Sequence, residues 1–350
     1  MLSPSTADPR AYADLTPSEV LDALDAVGFR GDGRILQLNS YENRVFQVML
    51  EDGTAVVAKF YRRARWSDSQ IVEEHSFSLE LAAAEVPVVA PCVLGTAAAG
   101  VLLLPSPGPA TLALRPGPQG LHRYSVSPRQ AGRSPELEDD AVLVRLGGFI
   151  GRLHAVGARR AFVHRRTLDA PLDVREAITQ LEQGGFVSDN QRDNWADACA
   201  EAVACIDSAL AARRPAVLRL HGDCHPGNLL WRDSGVHVVD LDDACMGPAV
   251  QDLWMLLSGE PEAMARQLRQ LLRGYAPFMD FDRTELRLIE PLRLLRMIRH
   301  NAWVAQRWTD PAFPCAFPDF GSSGYWGQQA AQLREQLRVA AETPTLDTLL

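Results

Sequence analysis

Three oxygen-bearing side chains lie close together in the stretch 218–254. Asp223 follows an apolar run and begins a loop, and Asn228 comes five residues later, before a second apolar run. A turn at 233–235 leads into another apolar strand, which ends at Asp240. A strand, a turn and a strand form a short hairpin. We therefore expect Asn228 and Asp240 to lie side by side.

These side chains could bind a divalent cation and accept a proton. Carboxylate and amide oxygens suit Mg²⁺, which prefers oxygen ligands and keeps water or phosphate in its remaining positions. Asn228 and Asp240 are therefore candidate Mg²⁺ ligands. Asp223 has no obvious basic partner nearby in the sequence. It is therefore a candidate to accept a proton from a hydroxyl group.

Lys59 is the single lysine among the 35 Lys and Arg residues of the chain. It lies in an apolar segment that predicts the third strand of a small sheet. A compact ammonium group on a flexible stem can contact phosphates in a way that a planar guanidinium does not reproduce. On the helix that follows, Glu74 shares the buried side with Ile71 and Phe77, whereas Glu73 points more to the side. We expect Glu74 to hold Lys59 on the phosphates of a nucleotide.

Some of these residues also have simpler interpretations. Lys59 could lie exposed on a surface strand. The alternating residues His221, Asp223 and His225 could form the zinc triad of a hydrolase. However, Pro226-Gly227 interrupts the strand, and no further ligands follow at zinc spacing.

Three acidic residues near Asp240 have less defined roles. Asp242 shares the side-chain direction of Asp240, so Asp242 and its neighbour Asp243 could be further metal ligands, or residues of a turn or helix cap. Asp252 lies in an otherwise apolar helix, where a buried carboxylate must find donors. We expect it to bind backbone amides of the loop 221–224.

The elements that must position these residues fall into two sets, which predict an α+β fold. Residues 1–115 predict a small lobe with an antiparallel sheet, and residues 116–350 predict a larger, mostly helical lobe. We expect a hinge at 116–120, because this segment is rich in Pro and Gly, and a mobile loop at 125–138. The predicted strands are 34–38, 45–50, 55–61, 88–94, 101–104 and 111–114, and the predicted helices include 69–84, 140–156, 260–275 and 283–308.

Composition excludes some partners. The net charge of −9 argues against a surface that binds nucleic acid. The uncharged stretch between residues 85 and 115 is interrupted by Pro and Gly, so it does not predict a membrane span. Six cysteines without a CxxC pair favour free thiols in a reducing cytoplasm. We expect a cytoplasmic monomer.

The motif His221-Gly222-Asp223, followed by Asn228 and by an apolar strand that ends at Asp240, resembles that of the bilobal kinase fold. Its branch is that of the aminoglycoside and choline kinases. The chain is similar, more closely, to a bacterial serine/threonine protein kinase of this branch. The GxGxxG of protein kinases is absent, and residues 39–43 stand in its place. The segments that carry the closer resemblance are 40–48, 56–62, 221–233, 239–256, 289–308 and 310–317.

The resemblance implies an enzyme that uses ATP and Mg²⁺. It implies that Asp223 is the catalytic base, and that Asn228 and Asp240 bind Mg²⁺, which makes Asp240 part of the catalytic set. It also implies that Lys59 contacts the phosphates and that Ser40 lies in the loop over them. The expected acceptor is a serine or threonine of a protein, the chain itself included, in a stress response. Two alternatives stay open: a kinase of small alcohols such as amino sugars, choline or homoserine, and a non-catalytic nucleotide-binding regulator.

Overall fold

The computed structural model describes residues 12, 14–95, 97–104, 108–211, 214–232 and 235–342. The helices are α1 (Pro17–Asp25), α2 (Asp68–Ala83), α3 (Asp140–Gly157), α4 (Ala170–Gln183), α5 (Arg192–Ala211), α6 (Gln251–Trp254), α7 (Pro261–Tyr275), α8 (Ile289–Gln306), α9 (Ala312–Ala316) and α10 (Ser323–Glu342). The strands are β1 (Gly31–Leu38), β2 (Arg44–Leu50), β3 (Ala55–Phe60), β4 (Leu102–Leu104), β5 (Leu112–Gly117), β6 (Gly120–Pro128), β7 (Leu218–Leu220), β8 (Leu229–Arg232), β9 (Gly235–Val238) and β10 (Cys245–Gly247). Short 3₁₀ helices cover Asp189–Gln191, Pro226–Asn228, Leu241–Asp243 and Arg283–Leu288.

The described residues divide into two compact units. The first contains the residues up to Ser134, together with Phe162–Arg165 and Gly227–Asp242. The second contains Pro135–Ala161, Arg166–Pro226 and the residues from Asp243 onward. The boundary that we expected near residue 115 falls inside strand β5 of the first unit.

The first unit is built on an antiparallel sheet with the strand order β1-β2-β3-β6-β5-β4. Lys59 pairs with Val45 of β2 on one side and with Ser125 of β6 on the other, so β3 is an interior strand. Alternate residues of β3 are buried, as half-buried strands require. The core beneath the sheet is formed by apolar residues of α1, β2, β3 and β6, with Phe60 and Tyr124 stacked at 5.2 Å.

Two expected loops are strands or turns of this sheet. The segment 116–120, which we expected to be a hinge, is the turn of the β5–β6 hairpin, with Gly117 opposite Gly120. Residues 125–128, the start of the mobile loop that we expected at 125–138, belong to β6 (Gly120–Pro128), in which Tyr124 and Val126 are buried. Because the segment 125–138 is rich in Ser and Arg, the sequence did not reveal that Tyr124 and Val126 point to the buried side of a strand. Conversely, the strand expected at 88–94 is reduced to an isolated bridge from Val88 to Val238, because prolines at 87 and 91 cannot donate backbone hydrogen bonds.

Helix α2 follows the sheet of the first unit. The side chain of Ser67 accepts a hydrogen bond from Gln70 N, and the Gln70 side chain accepts one from Ser67 N, which forms a complete capping box. The helix buries one face that carries Ile71, Glu74 and Phe77, as the three-residue spacing predicts.

The second unit is mostly helical, as expected. Helices α3 and α7 pack closely because glycines meet at their contact: a Cβ at Gly147 would collide with the backbone of Leu271, and one at Gly151 with Tyr275 O at 2.8 Å. Helix α8 packs against α4, α5 and α10, and strands β7 and β10 pair beside α3. An antiparallel sheet in the N-terminal part and helices in the C-terminal part confirm the α+β fold class.

The helices of the described residues differ in length and in polarity from a membrane span. None of them is both long and apolar enough to cross a bilayer. All six cysteines have free thiols.

Candidate active site

The β8–β9 hairpin forms as the sequence predicts. Leu229 pairs with Val238, and the N–H of Val239 donates to the carbonyl of Asn228 at 3.1 Å. Asn228 and Asp240 therefore lie at the same open end of the hairpin. The two residues that could supply a carboxylate and an amide oxygen thus lie at one end of the hairpin, within the first unit.

Lys59 lies at this end of the hairpin. Its Nζ is 2.8 Å from Asp240 Oδ1 and 3.0 Å from Asp242 Oδ1. The Lys59 side chain is 19% exposed, so it does not lie on an open surface strand. Burial opposes its charge, but the two carboxylates outweigh that effect and raise the pKa of Lys59 well above its usual value. Lys59 is therefore charged at every physiological pH.

Glu74 is close to Lys59 but does not form the ion pair that we expected. Glu74 Oε1 accepts a hydrogen bond from Ser78 Oγ at 2.9 Å, one turn further along α2. In the described part of the chain, the ion-pair partners of Lys59 are Asp240 and Asp242. Two carboxylates at hydrogen-bond distance compete successfully with one that is bonded within its own helix. Burial raises the pKa of Glu74, although the charge of Lys59 opposes this rise.

Asp242 is the most heavily bonded carboxylate of the site. It is buried, and its Oδ2 accepts from Asn43 Nδ2 at 3.0 Å and from Arg65 Nη1 at 2.6 Å. Burial disfavours its charge, but Lys59 and Arg65 outweigh this effect and hold the pKa of Asp242 well below its usual range. Asp242 lies in the 3₁₀ turn Leu241–Asp243 and also contacts the ammonium of Lys59, which was not expected; its role as a further metal ligand stays a prediction.

Asp240 has a left-handed backbone conformation, with φ at 62°. Asp adopts this region more readily than most residues other than glycine. The conformation turns the chain sharply from β9 into the 3₁₀ helix Leu241–Asp243. Because of this turn, the carboxylates of Asp240 and Asp242 both reach Lys59.

Glu73 on α2 binds three successive backbone N–H groups. Its carboxylate accepts from Val163 N at 2.6 Å, His164 N at 2.8 Å and Arg165 N at 2.7 Å. The buried Arg165 side chain in turn donates to the carbonyls of Leu241 and Asp242, at 3.2 and 2.6 Å. Glu73 therefore supports the loop that carries the acidic residues, and does so through the segment 163–165.

Ser40 lies in the turn between β1 and β2. Its Oγ accepts from Asn43 N at 3.3 Å. The Asn43 side chain accepts from Arg62 N at 3.1 Å and donates to Asp242. The structure thus connects the loop of Ser40 to the acidic cluster through Asn43. The role of Ser40 over bound phosphates stays a prediction.

Asp223 belongs to the second unit, where two cationic or polar side chains contact it. Arg296 Nη1 of α8 is 2.6 Å from Asp223 Oδ1, and His225 Nε2 is 3.5 Å from Asp223 Oδ2. Burial opposes its ionisation, but His225 and Arg296 outweigh that effect and hold the pKa of Asp223 well below its usual range. Asp223 is therefore an anion at neutral pH, the form that accepts a proton.

Asp252 supports the loop before Asp223, as we expected. Its carboxylate accepts from His221 N and Gly222 N, both at 2.8 Å, and lies 3.1 Å from Nε2 of the buried His154. Gly222 has φ at 85°, and a Cβ there would collide with the backbone of Asp243. The loop therefore requires both glycine at 222 and a carboxylate at 252.

Replacing Asp252 by alanine should destabilise the protein strongly. The two N–H groups and His154 would lose their acceptor in a buried site, so we expect the free energy of unfolding to fall by about 3–5 kcal/mol. Urea denaturation followed by circular dichroism measures this change. The matched control is Asp207→Ala, which removes a half-exposed pair with Arg175 and should cost at most about 1 kcal/mol. Equal losses in the two variants would contradict the support role.

A buried network beside Lys59 predicts a pH dependence of stability. His75 Nε2 is 2.7 Å from Tyr61 Oη, and its Nδ1 is 2.8 Å from Thr111 Oγ1. Burial, together with the charge of Lys59, lowers the pKa of His75 to about 3. The unfolded chain, whose histidine has its usual pKa, therefore takes up a proton first as the pH falls.

We expect the free energy of unfolding to decrease by about 2 kcal/mol between pH 6.5 and pH 5, because His75 stays neutral only in the folded state. Urea titrations at the two pH values measure this slope. His75→Gln should flatten it, whereas the exposed control His164→Gln should not. The same slope in His75→Gln as in the unchanged protein would show that other groups cause it.

The structure does not support the zinc alternative. Among the described residues, no group of three or more His, Cys, Asp or Glu side chains is arranged to hold a metal ion. The buried His221 instead accepts a hydrogen bond from Asp223 N through its Nδ1 at 3.2 Å. It anchors the loop.

Four residues that contact the candidate residues within each unit were not predicted from the sequence: Asn43, Arg65, Arg165 and Arg296. Three of them are arginines in a chain with 35 Lys and Arg residues, so their residue type alone gives no signal. Asn43 is buried, and a buried amide needs partners. Its burial, however, cannot be recognised from its neighbours in the sequence.

The family of the chain agrees with the fold and with these residues. Residues 34–289 match the model of the phosphotransferase enzyme family. The chain belongs to this family and is a phosphotransferase, which confirms the resemblance drawn from the motifs. It is 40% identical to stress response kinase A of Escherichia coli (strain K12) over 333 residues, which cover 95% of this chain and 96% of the relative.

Two further comparisons extend this result. Serine/threonine protein kinase RdoA of Salmonella typhimurium (strain LT2) is 39% identical over 333 residues, which cover 95% of this chain and 96% of that protein. Among solved structures, amicoumacin kinase hAmiN in complex with AMP-PNP, Ca²⁺ and Ami superposes with a TM-score of 0.69 at 17% identity. That match covers 95% of this chain and 97% of hAmiN, and it shows a shared fold.

Proposed function

We propose that this phosphotransferase moves the γ-phosphoryl group of ATP to a serine or threonine hydroxyl of a protein. The observation that carries the proposal is the contact of Lys59 with Asp240 and Asp242, at 2.8 and 3.0 Å, at the end of the hairpin that also carries Asn228. A charged ammonium group next to oxygen donors is the arrangement that binds a nucleotide phosphate with its metal ion. The name of RdoA supports the class of acceptor.

The donor set fits Mg²⁺. Asp240 and Asn228 offer hard oxygen atoms at the open end of one hairpin, and the Asp240 side chain is 52% exposed, so a metal ion could reach it. The hAmiN complex contains AMP-PNP and Ca²⁺, which supports the use of a nucleotide and a divalent cation by this fold. When bound, Mg²⁺ neutralises negative charge on the phosphates.

The residues of the chain then have distinct roles. Lys59 binds the phosphates and is itself held by carboxylates. Asp223 accepts the proton of the acceptor hydroxyl. The hydroxyl oxygen then bonds to the γ-phosphorus, and the bond between the γ-phosphorus and the bridging oxygen breaks, which releases ADP. Placement and charge neutralisation provide the rate acceleration, because the transferred group needs little covalent assistance. Glu74 and Ser40 support the nucleotide side in this proposal.

We also propose that the protein acts in a stress response, as the name of the E. coli relative suggests, and that it is located in the cytoplasm. Free thiols at all six cysteines are consistent with a reducing compartment.

Labelled ATP tests the proposal directly. The purified protein is incubated with ATP labelled at the γ-phosphate and Mg²⁺, first alone, then with a cell extract and with a panel of small alcohols. We expect label on protein serine or threonine, which phosphopeptide mapping identifies. Label on amino sugars or choline only would show a small-molecule kinase. Nucleotide binding without transfer to any acceptor would contradict the proposed function.

A further inference from the structure

Arg296 carries a charge at the proposed catalytic base that the phosphoryl-transfer reaction does not explain. Its Nη1 contacts Asp223 Oδ1 at 2.6 Å, and its side chain is 49% exposed. A guanidinium has five N–H donors in a planar fork, and this contact uses one nitrogen. The other edge of the fork therefore remains near Asp223 and accessible to an acceptor.

The exposed face of α8 continues this positive charge. Arg296 and Arg299 are exposed and lie three residues apart, so they share one face of the helix. Burial and the charge of Arg296 lower the pKa of the adjacent His300, so this histidine adds no charge at neutral pH. Between Glu290 and Asp310 the chain contains four arginines and no acidic residue. We call the face of Arg296 and Arg299 the cationic face.

Neighbouring elements only partly neutralise this face. Arg166, which precedes α4, is paired with the buried Asp173, and Arg299 Nη1 is 3.9 Å from the same carboxylate. One carboxylate thus serves two arginines. Asp243 also lies near Arg299. Partial burial lowers the pKa of Arg299, and the positive charge of Arg166 contributes to this shift. The guanidinium groups are the more exposed partners of these pairs: the side chains of Arg296 and Arg299 are 49% and 43% exposed, whereas those of Asp223 and Asp173 are 25% and 7% exposed.

We propose that the cationic face recognises acidic residues beside the acceptor serine or threonine, so that the preferred substrate is an acidic segment of a protein. This proposal rests on the proposed function. Arginine binds carboxylates through two parallel hydrogen bonds, which makes it a specific receptor for aspartate and glutamate. Cationic acceptors such as choline or an amino sugar would be repelled at the same place.

The extent of the cationic face favours a peptide over a single small anion. Residues 296 and 299 are separated by about 4.5 Å along the helix axis, since each residue of an α-helix rises about 1.5 Å. Several acidic side chains of an extended segment can contact this length at once. A small hydroxy acid would contact Arg296 alone.

Matched peptides test the proposal. Each has one serine and the same length, and the serine is flanked by aspartates, by asparagines or by lysines. We expect kcat/KM for the aspartate peptide to exceed that for the asparagine peptide by about 10-fold or more, mainly through KM, because a hydrogen bond to a charged group contributes about 1.5–3 kcal/mol. The lysine peptide should be the poorest substrate, and added salt should reduce the difference.

Substitutions on α8 assign the effect to residues. Arg299→Glu should reverse the order of the aspartate and lysine peptides without touching Asp223. Arg296→Gln should lower the ratio of kcat/KM for the aspartate peptide to kcat/KM for the asparagine peptide by about 10-fold or more. The control is Arg338→Gln on α10, an exposed arginine paired with Glu335 that should preserve the order of the peptides.

The outcomes separate this inference from the proposed function. Equal or faster transfer to the lysine peptide would overturn the acidic preference but leave the kinase assignment intact. A uniform loss of kcat with all peptides in Arg296→Gln would overturn it as well, and would assign Arg296 to the transferred phosphoryl group instead. Transfer to a small hydroxy acid and to no peptide would replace the protein acceptor by an anionic alcohol. Absence of transfer to any acceptor would contradict the proposed function itself.

Discussion

Replacing Lys59 by arginine should reduce phosphate transfer by at least about 100-fold, because removing one pre-positioned charge-stabilising group costs about 10²–10³ in rate. The substitution keeps the positive charge at position 59 but changes the shape of the group that carries it. The ammonium lies 2.8 Å from Asp240 and 3.0 Å from Asp242. The guanidinium of arginine is planar and bulkier than an ammonium group, so it cannot occupy this point between two carboxylates. Lys59→Ala should show a loss of similar size, with weaker nucleotide binding.

The fold should survive these changes at Lys59. Asp242 keeps Arg65 at 2.6 Å and Asn43 at 3.0 Å, so its carboxylate stays paired. Steady-state transfer of labelled phosphate measures the activity, and thermal unfolding confirms the fold. The matched control is the reverse exchange Arg34→Lys on β1, which concerns a largely exposed residue of the same sheet and should leave the rate unchanged. Full activity of Lys59→Arg would exclude the proposed role of the ammonium.

Asp223→Asn should lower kcat by about 10²–10⁴, the usual contribution of a general base, while nucleotide affinity stays close to that of the unchanged protein. Asparagine fills the same volume and can still accept a hydrogen bond from Arg296, but it cannot take up the proton. Because the pKa of Asp223 lies well below its usual range, the carboxylate is ionised throughout the neutral region. The loss should therefore be the same at about pH 6 and about pH 9.

Single-turnover measurements with bound ATP separate the chemical step from binding in this variant. Asp207→Asn is the matched control, because it changes an exposed carboxylate of α5 and should transfer phosphate at the normal rate. If Asp223→Asn kept the normal kcat, the proton would have to leave by another route, and Asp223 would not be the base.

The sequence predicted the local parts of the site well. The β8–β9 hairpin follows from a turn between two short apolar runs, so the neighbourhood of Asn228 and Asp240 could be read directly. The position of Lys59 on an interior strand and the buried face of α2 with Glu74 follow from the periods of strand and helix. These features depend on residues a few positions apart.

The partners of these residues could not be predicted in the same way. Asn43 and Asp242 are 199 positions apart, and Asp223 and Arg296 are 73 apart. No local pattern encodes such distant contacts. The prediction of an ion pair between Lys59 and Glu74 was wrong for this reason. The helix period shows which face of α2 is buried, but not which carboxylate contacts the ammonium of Lys59. Strand β6 was missed because its composition resembles that of a loop.

The three backbone hydrogen bonds that Glu73 accepts have a mechanical consequence. They tie the middle of α2 to the segment 163–165 at distances of 2.6 to 2.8 Å. Arg165 extends this link to the carbonyls of Leu241 and Asp242. A binding partner that pushed α2 along its axis would thus shift the carboxylates around Lys59 without approaching them. A partner that binds the outer surface of α2 could therefore change the activity of the enzyme without contacting the residues around Lys59.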